Sequence, residues 1–308
     1  MSDPRPIGVF DSGVGGLTVL REILRRCPSE STIYLGDNAR APYGTRSDDE
    51  VRRFSIDALD ALAARDVKAI VVACNTSTAV ALGDLRRRYN VPILGVIRPG
   101  AVTAALTTRE RRVGVIATPA TIRSHAYFAA IKDENPAVEV YEHATPALVP
   151  MVEAGLLSGP EVEAVVRESL APFLGERDSS GDFIFPLPPS ARIDTLLLGC
   201  THYPLLRPLI AEIVGTRIAI VDSATATASA LSELLGINGL EASGTTRGTA
   251  ADAGHLGHDR PTEQATRPTH LQLTTGDLDA FRSIARRLFG DAFPEIQGIE
   301  LGSAGPAA

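Results

Sequence analysis

Short apolar runs alternate along this chain with longer stretches in which apolar residues recur every three to four positions. Runs at 7–10, 32–36, 69–73, 92–96, 112–117, 137–141, 194–198 and 217–221 read as strands, several apolar enough to be buried on both faces. Between them the periodicity predicts helices over 15–26, 47–65, 77–88, 99–107, 120–131, 146–154, 160–173, 203–213 and 224–235. Ser47 followed by Glu50 is a capping box at the start of its helix. Pro92 is tolerated as the first residue of its strand. A last strand at 271–273 and a helix at 279–288 follow an aperiodic stretch. Strands alternating with helices in this way predict an α/β fold.

The pattern is duplicated. Ile7-Gly8-Val9-Phe10-Asp11-Ser12-Gly13 resembles Val113-Gly114-Val115-Ile116-Ala117-Thr118-Pro119. Ala69-Ile70-Val71-Val72-Ala73-Cys74-Asn75-Thr76 and Thr195-Leu196-Leu197-Leu198-Gly199-Cys200-Thr201-His202 form a second pair in the same order. The low-complexity segment Gly175 to Arg192 accounts for the unequal spacing and reads as an inserted surface loop. Gly239 to Thr269 reads as a second long loop; His255 and His258 within it, and His270 just after it, read as solvated side chains rather than metal ligands. Two α/β halves then face each other across a cleft, each with a cysteine at the carboxyl end of a strand.

That position matters because ligands of open α/β sheets bind beyond the carboxyl ends of the strands. A helix N-terminus there is expected to lower a thiol pKa. A lone cysteine is more often a small buried apolar residue than a catalyst. Cys27, at a helix end in Arg25-Arg26-Cys27-Pro28, keeps that reading. The paired setting of Cys74 and Cys200 points instead to a base on one face of a substrate and an acid on the other.

Composition narrows the chemistry. The 308 residues are 44% hydrophobic and 22% charged, as in a soluble globular protein of one large or two ordinary domains. A net charge of -7 argues against nucleic acid as a partner. No apolar run spans a bilayer and the polar start leaves no room for a signal peptide, so neither membrane nor export is expected. Three cysteines without framework spacing fit a reducing, cytoplasmic setting, and no Cys/His group has zinc-site spacing. Lys68 and Lys132 are the only lysines, and neither adjoins a phosphate loop, which disfavours a pyridoxal-phosphate enzyme. No cofactor and no metal are expected.

Polar residues gather at the same strand ends. Asp11-Ser12-Gly13-Val14-Gly15-Gly16 lacks the G-x-G-x-x-G spacing, yet its amides can hold a carboxylate as readily as a phosphate. Asp11 could orient an ammonium group, assist a thiol or cap the helix. Asn75, Thr76, Thr118, Thr121 and Thr201 supply neutral donors and acceptors suited to a small zwitterion with carboxylates. His202 lies two residues beyond Cys200, in reach of its proton. Glu153 near a helix end is either a supporting acid or a surface carboxylate. Pro42-Tyr43-Gly44 is a turn.

Phe10 to Arg21, Pro42-Tyr43-Gly44, Ala73-Cys74-Asn75-Thr76, Gly199-Cys200-Thr201-His202-Tyr203-Pro204 and Thr274-Thr275-Gly276-Asp277 resemble the motifs of the bacterial glutamate racemase family. The resemblance covers nearly the whole chain apart from the two loops. It implies a cofactor-independent enzyme that interconverts L- and D-glutamate, supplying D-glutamate for peptidoglycan. It implies two pseudo-symmetric three-layer α/β domains with largely parallel sheets and the active site between them. Residues 1–97 with 222–308 would form the first, and 98–221 the second. It implies Cys74 and Cys200 as the acid/base pair, with Asp11 and His202 assisting; Glu153 stands beside them as a candidate from its own position. Asp11, Ser12, Tyr43, Gly44, Asn75, Thr76, Thr118, Thr121, Thr201 and His202 would hold the substrate, and a homodimer is expected. Arg98 stands where the family often has an acid. The competing expectations are an aspartate racemase of the same superfamily, a non-catalytic two-lobe ligand-binding protein, and a redox role for the thiols. The last is disfavoured by the absence of a C-x-x-C.

Overall fold

The computed structural model describes residues 2–175, 189–243, 267–290 and 295–302. The loops expected at 175–192 and 239–269 lie mostly outside these residues, as do His255 and His258. In chain order the elements are β1 (Ile7–Asp11), α1 (Leu17–Arg26), β2 (Thr32–Gly36), α2 (Asp48–Ala63), β3 (Ala69–Val72), α3 (Asn75–Arg88), β4 (Ile93–Gly95) and α4 (Ile97–Thr107). Then come β5 (Arg112–Ala117), α5 (Pro119–Ser124), α6 (Ala126–Glu134), β6 (Glu139–Ala144), α7 (Leu148–Glu153), α8 (Pro160–Leu174), β7 (Thr195–Leu198), α9 (Arg207–Val214), β8 (Ala219–Asp222) and α10 (Ala224–Ile237). The chain closes with β9 (His270–Thr274), α11 (Leu278–Phe289) and β10 (Glu295–Gly298).

The strands form two sheets in which every described pair is parallel. The first runs β10-β9-β2-β1-β3-β4 and the second β6-β5-β7-β8. Within the first, β2-β1-β3-β4 has the same order and direction as β6-β5-β7-β8 in the second. The register repeats as well: Phe10 pairs with Val72 as Ile116 pairs with Leu198. The duplicated motifs therefore occupy equivalent places. In each sheet the order reverses between the first and third strands of the repeat, and loops leaving such neighbours diverge to open a crevice. Asp11 and Cys74 flank that point in one sheet, Thr118 and Cys200 in the other.

Strand alternation sends apolar side chains to both faces of each sheet. Ile7 and Val9 pack against α1, α10 and α11, whereas Phe10, Ile70 and Val72 pack against α2 and α3. In the second sheet Val113, Val115 and Leu197 meet α4 and α6, whereas Ile116, Leu196 and Leu198 meet α7, α8 and α9. Each half thus has three layers. α4 follows β4 in sequence but packs on the second sheet, and α10 follows β8 but packs on the first.

Most predicted elements are present within a few residues of their expected bounds. The helix expected at 120–131 is instead two, α5 and α6, because His125 takes a left-handed conformation at φ 51°. The helix expected at 203–213 begins as a 3-10 turn, Tyr203–Leu206, before α9. The strand expected at 137–141 lies at 139–144; it is an edge strand of mixed polarity, so its register is poorly marked by apolar residues. β10 was not expected, since Glu295-Ile296-Gln297-Gly298 carries a single large apolar side chain.

Candidate active site

Cys74 follows β3 and is the N-cap of α3, where its sulfur accepts from the Ser77 N–H at 3.4 Å. The thiol donates to Ser12 Oγ at 3.4 Å, so the first strand's loop reaches the third strand's cysteine. The expected lowering of the thiol pKa is corrected here. Burial pushes the Cys74 thiol up, and the nearby Asp11 carboxylate pushes it further; both outweigh the donors at the cap. Asp11 makes no hydrogen bond to Cys74. Its Oδ2 accepts from the Gly13 N–H at 3.0 Å and its Oδ1 from Thr201 Oγ1 at 3.2 Å, across the cleft. Burial raises the Asp11 pKa despite the opposing charge of His202.

Cys200 follows β7, but no regular helix starts there. A turn and the 3-10 segment intervene, so of the two thiols expected beside a helix N-terminus only Cys74 has one directly after it. The second thiol has His202 instead, with Nδ1 3.6 Å from its sulfur. His202 Nε2 lies 2.6 Å from Glu153 Oε1, at the end of α7. Burial would lower the imidazole pKa, but the bonds to Cys200 and Glu153 overcome it and hold His202 well above its ordinary value. Burial likewise works against the Glu153 carboxylate, and His202 more than offsets it, leaving that pKa lowered. The ion pair sets an imidazolium beside Cys200, with Nδ1 placed to donate toward its sulfur. Glu153 is therefore no mere surface carboxylate. It also accepts from the Val14 N–H at 3.3 Å.

The two halves meet through further polar contacts. Thr76 Oγ1 lies 2.9 Å from Thr118 Oγ1 and 3.4 Å from Thr121 Oγ1, while Asn75 Nδ2 donates to Tyr127 Oη at 2.7 Å. Thr18 Oγ1 donates to the Thr201 carbonyl at 3.2 Å. Gly44 sits against Thr118, where a Cβ would come within 2.5 Å of that side chain. Ser12, Cys74, Asn75, Thr76, Thr118, Thr121, Cys200, Thr201 and His202 are all buried around this cleft. Tyr43 is the exception among the expected ligands. Its ring packs on Phe10 and Phe54 and its hydroxyl is committed to Asp37 Oδ2 at 2.5 Å, so this turn offers the cleft its backbone.

Asp37 was missed by sequence reasoning. It is fully buried just after β2 and gathers Tyr43 Oη, Arg40 Nε at 2.6 Å and Thr275 Oγ1 at 2.7 Å. Its position after an apolar run, like that of Asp11 after β1, was the available signal. Asn38 was missed too; its amide donates to Glu153 Oε2 at 3.5 Å and its carbonyl accepts from Thr274 Oγ1 at 3.0 Å. These contacts tie the C-terminal Thr274-Thr275-Gly276-Asp277 motif to the cleft. Among the described residues, no group of three or more His, Cys, Asp or Glu side chains is placed to hold a metal ion. No described helix is long and apolar enough to cross a membrane.

A family model described as Asp/Glu/Hydantoin racemase matches residues 7–176. The chain is 42% identical to a glutamate racemase of Oceanobacillus iheyensis, over 96% of each chain. Among solved structures, glutamate racemase isoform RacE1 of Bacillus anthracis superposes with a TM-score of 0.81 at 37% identity, covering 96% of this chain and 98% of that one. The glutamate racemase of Francisella tularensis in complex with D-glutamate gives 0.78 at 34% identity, over 98% and 99%. An aspartate racemase of Picrophilus torridus is a distant likeness, with a TM-score of 0.50 at 19% identity over 75% of this chain and 94% of that one, and shares the fold alone.

Proposed function

The chain belongs to the Asp/Glu/Hydantoin racemase family, and on that premise we propose that it interconverts L- and D-glutamate with two thiols as the acid/base pair, supplying D-glutamate for peptidoglycan. One observation carries the reading: two topologically equivalent parallel sheets each bring a buried cysteine to their switch point, at one shared cleft. A thiolate on one face takes the α-proton, and a thiol on the other returns a proton to the opposite face. The electron pair left by the broken C–H bond is held on the substrate until it forms the new one. After each turnover the protonation states of Cys74 and Cys200 have exchanged.

The difficulty is the low acidity of an α-proton beside a carboxylate. The cleft meets it with preorganised donors where charge develops and with little water to compete. Ser12, Asn75, Thr76, Thr118, Thr121 and Thr201, with the backbone of Tyr43 and Gly44, hold the substrate, and fixed thiols supply orientation. Cys74 takes the proton of D-glutamate and Cys200 that of L-glutamate. Ser12 and the Asp11 charge adjust the first thiol; His202, oriented by Glu153, adjusts the second. Residues 1–97 with 222–308 act as one domain and 98–221 as the other. The enzyme works without a cofactor, as a cytoplasmic homodimer.

The test is circular dichroism of L-glutamate, D-glutamate and L-aspartate solutions containing the purified protein and no added cofactor. The ellipticity of both glutamate enantiomers should decay to zero while that of aspartate persists. Decay of aspartate alone would transfer the function to an aspartate racemase. No decay with any of the three would favour a binding protein.

A further inference from the structure

Tyr127 lies in the first turn of α6, with its ring fully buried among Ala101, Val115, Ile131 and Leu197. Its hydroxyl meets two polar partners from other elements. Asn75 Nδ2 lies at 2.7 Å and Ser223 Oγ at 3.0 Å. The ring also rests against the second thiol's loop, where a Cβ on Gly199 would come within 2.8 Å of Tyr127 Cε2. One side chain thus touches the residue after Cys74, the residue before Cys200, and Ser223 between β8 and α10.

The chemistry of the three groups orders them. An amide nitrogen only donates, so the phenol oxygen accepts from Asn75 and its single proton is free for Ser223 Oγ. Burial pushes the Tyr127 pKa up, which keeps the phenol neutral and able to accept and donate together. The Asn75 carboxamide is then fixed with Nδ2 toward Tyr127 and Oδ1 turned away from it. Asn75 is itself buried, so without the phenol oxygen its amide loses a partner that water cannot freely replace.

The geometry points to Tyr127 as a positioning residue for racemisation, its hydroxyl holding the Asn75 carboxamide where that residue meets glutamate. The inference rests on the two-thiol reading of the cleft and names a residue outside the set that contacts substrate. Tyr127→Phe keeps the buried ring and removes only the hydroxyl.

The experiment is a double-mutant cycle of Tyr127→Phe and Asn75→Ala, read as kcat and KM in both directions. Tyr127→Phe should lower kcat/KM about five- to tenfold each way, chiefly through KM, as the loss of one hydrogen bond predicts. In the Asn75→Ala background the same substitution should change kcat/KM by less than about twofold. Effects that multiply would overturn the route through Asn75, since a purely structural role adds independently. Unchanged kinetics of Tyr127→Phe beside an active wild type would overturn this inference and leave the racemase reading standing. A folded but inactive wild type would overturn both. If Tyr127→Phe does not fold, Ser223→Ala serves, because it strips the phenol of its acceptor. A raised KM there supports the inference, and an unchanged KM overturns it.

Discussion

Each thiol sits in a different electrostatic setting. Cys74 is surrounded by neutral donors and a buried carboxylate, so its thiolate is costly to form. Cys200 has an imidazole beside it, itself held by Glu153. The proposed two-thiol mechanism uses each as acid and base in turn, so replacing either with alanine should lower racemisation by about 10²- to 10⁴-fold, the usual worth of a general acid or base. Circular dichroism in the far ultraviolet checks that the fold persists. The raised Cys74 pKa gives a directional pH dependence. With D-glutamate, where this thiol must be ionised to act, the rate should keep climbing above about pH 8.5, the ordinary thiol pKa. A rate already level at pH 7 would contradict it. Glu153→Gln keeps the shape but removes the charge that holds His202, and should cost about ten- to a hundredfold in kcat/KM, the worth of a hydrogen bond to a charged group. The pair also links stability to pH. The raised His202 pKa contributes stability that is full below its ordinary value and fades as pH rises through the folded one. The lowered Glu153 pKa contributes stability present above its ordinary value and lost as pH falls through the folded one. The drop in Tm caused by Glu153→Gln should therefore shrink in acid.

Elements were legible where their signals are local. Apolar runs marked the central strands, and the capping box at Ser47 formed as expected, with Glu50 N–H on Ser47 Oγ and the Ser47 N–H on the Glu50 carboxylate. Less was legible where no local signal exists. The polar edge strand β10 and the helix break at His125 depend on tertiary packing rather than periodicity. Asp37 and Tyr127 escaped for a related reason. Tyr127 bonds Asn75 and Ser223, and Asp37 bonds Thr275 as well as its neighbours Arg40 and Tyr43, and the distant partners leave no local mark. Cross-cleft bonds such as Thr201 to Asp11, separated by 190 residues, have no sequence signature at all. The duplication of the strand-end motifs pointed to equivalent places for the two cysteines, at the switch points of the two sheets. Asp277 caps α11, with its carboxylate accepting from the Ala280 N–H at 2.7 Å. Asp277→Ala should lower unfolding free energy by about 1 kcal/mol, the usual value of an N-cap, readable by urea denaturation.

The described residues hold two copies of one four-strand order, the first extended by β9 and β10, with their switch points turned toward one cleft. That arrangement explains why paired thiols serve racemisation better than one. A single group must cross from one face of the α-carbon to the other, whereas two fixed groups need no movement. Direct contacts join the halves at this cleft, among them Thr76 with Thr118 and Thr18 with Thr201. All the groups invoked belong to the chain, so incubation with a chelator or with hydroxylamine should leave the rate of glutamate racemisation unchanged. The most direct measurement follows α-proton exchange by nuclear magnetic resonance during the first few per cent of L-glutamate conversion in deuterium oxide. Two thiols on opposite faces predict that the D-glutamate formed carries deuterium while the remaining L-glutamate keeps its proton. Protium carried over into D-glutamate, or deuterium appearing equally in both enantiomers from the start, would mean that one group serves both faces and would contradict the account.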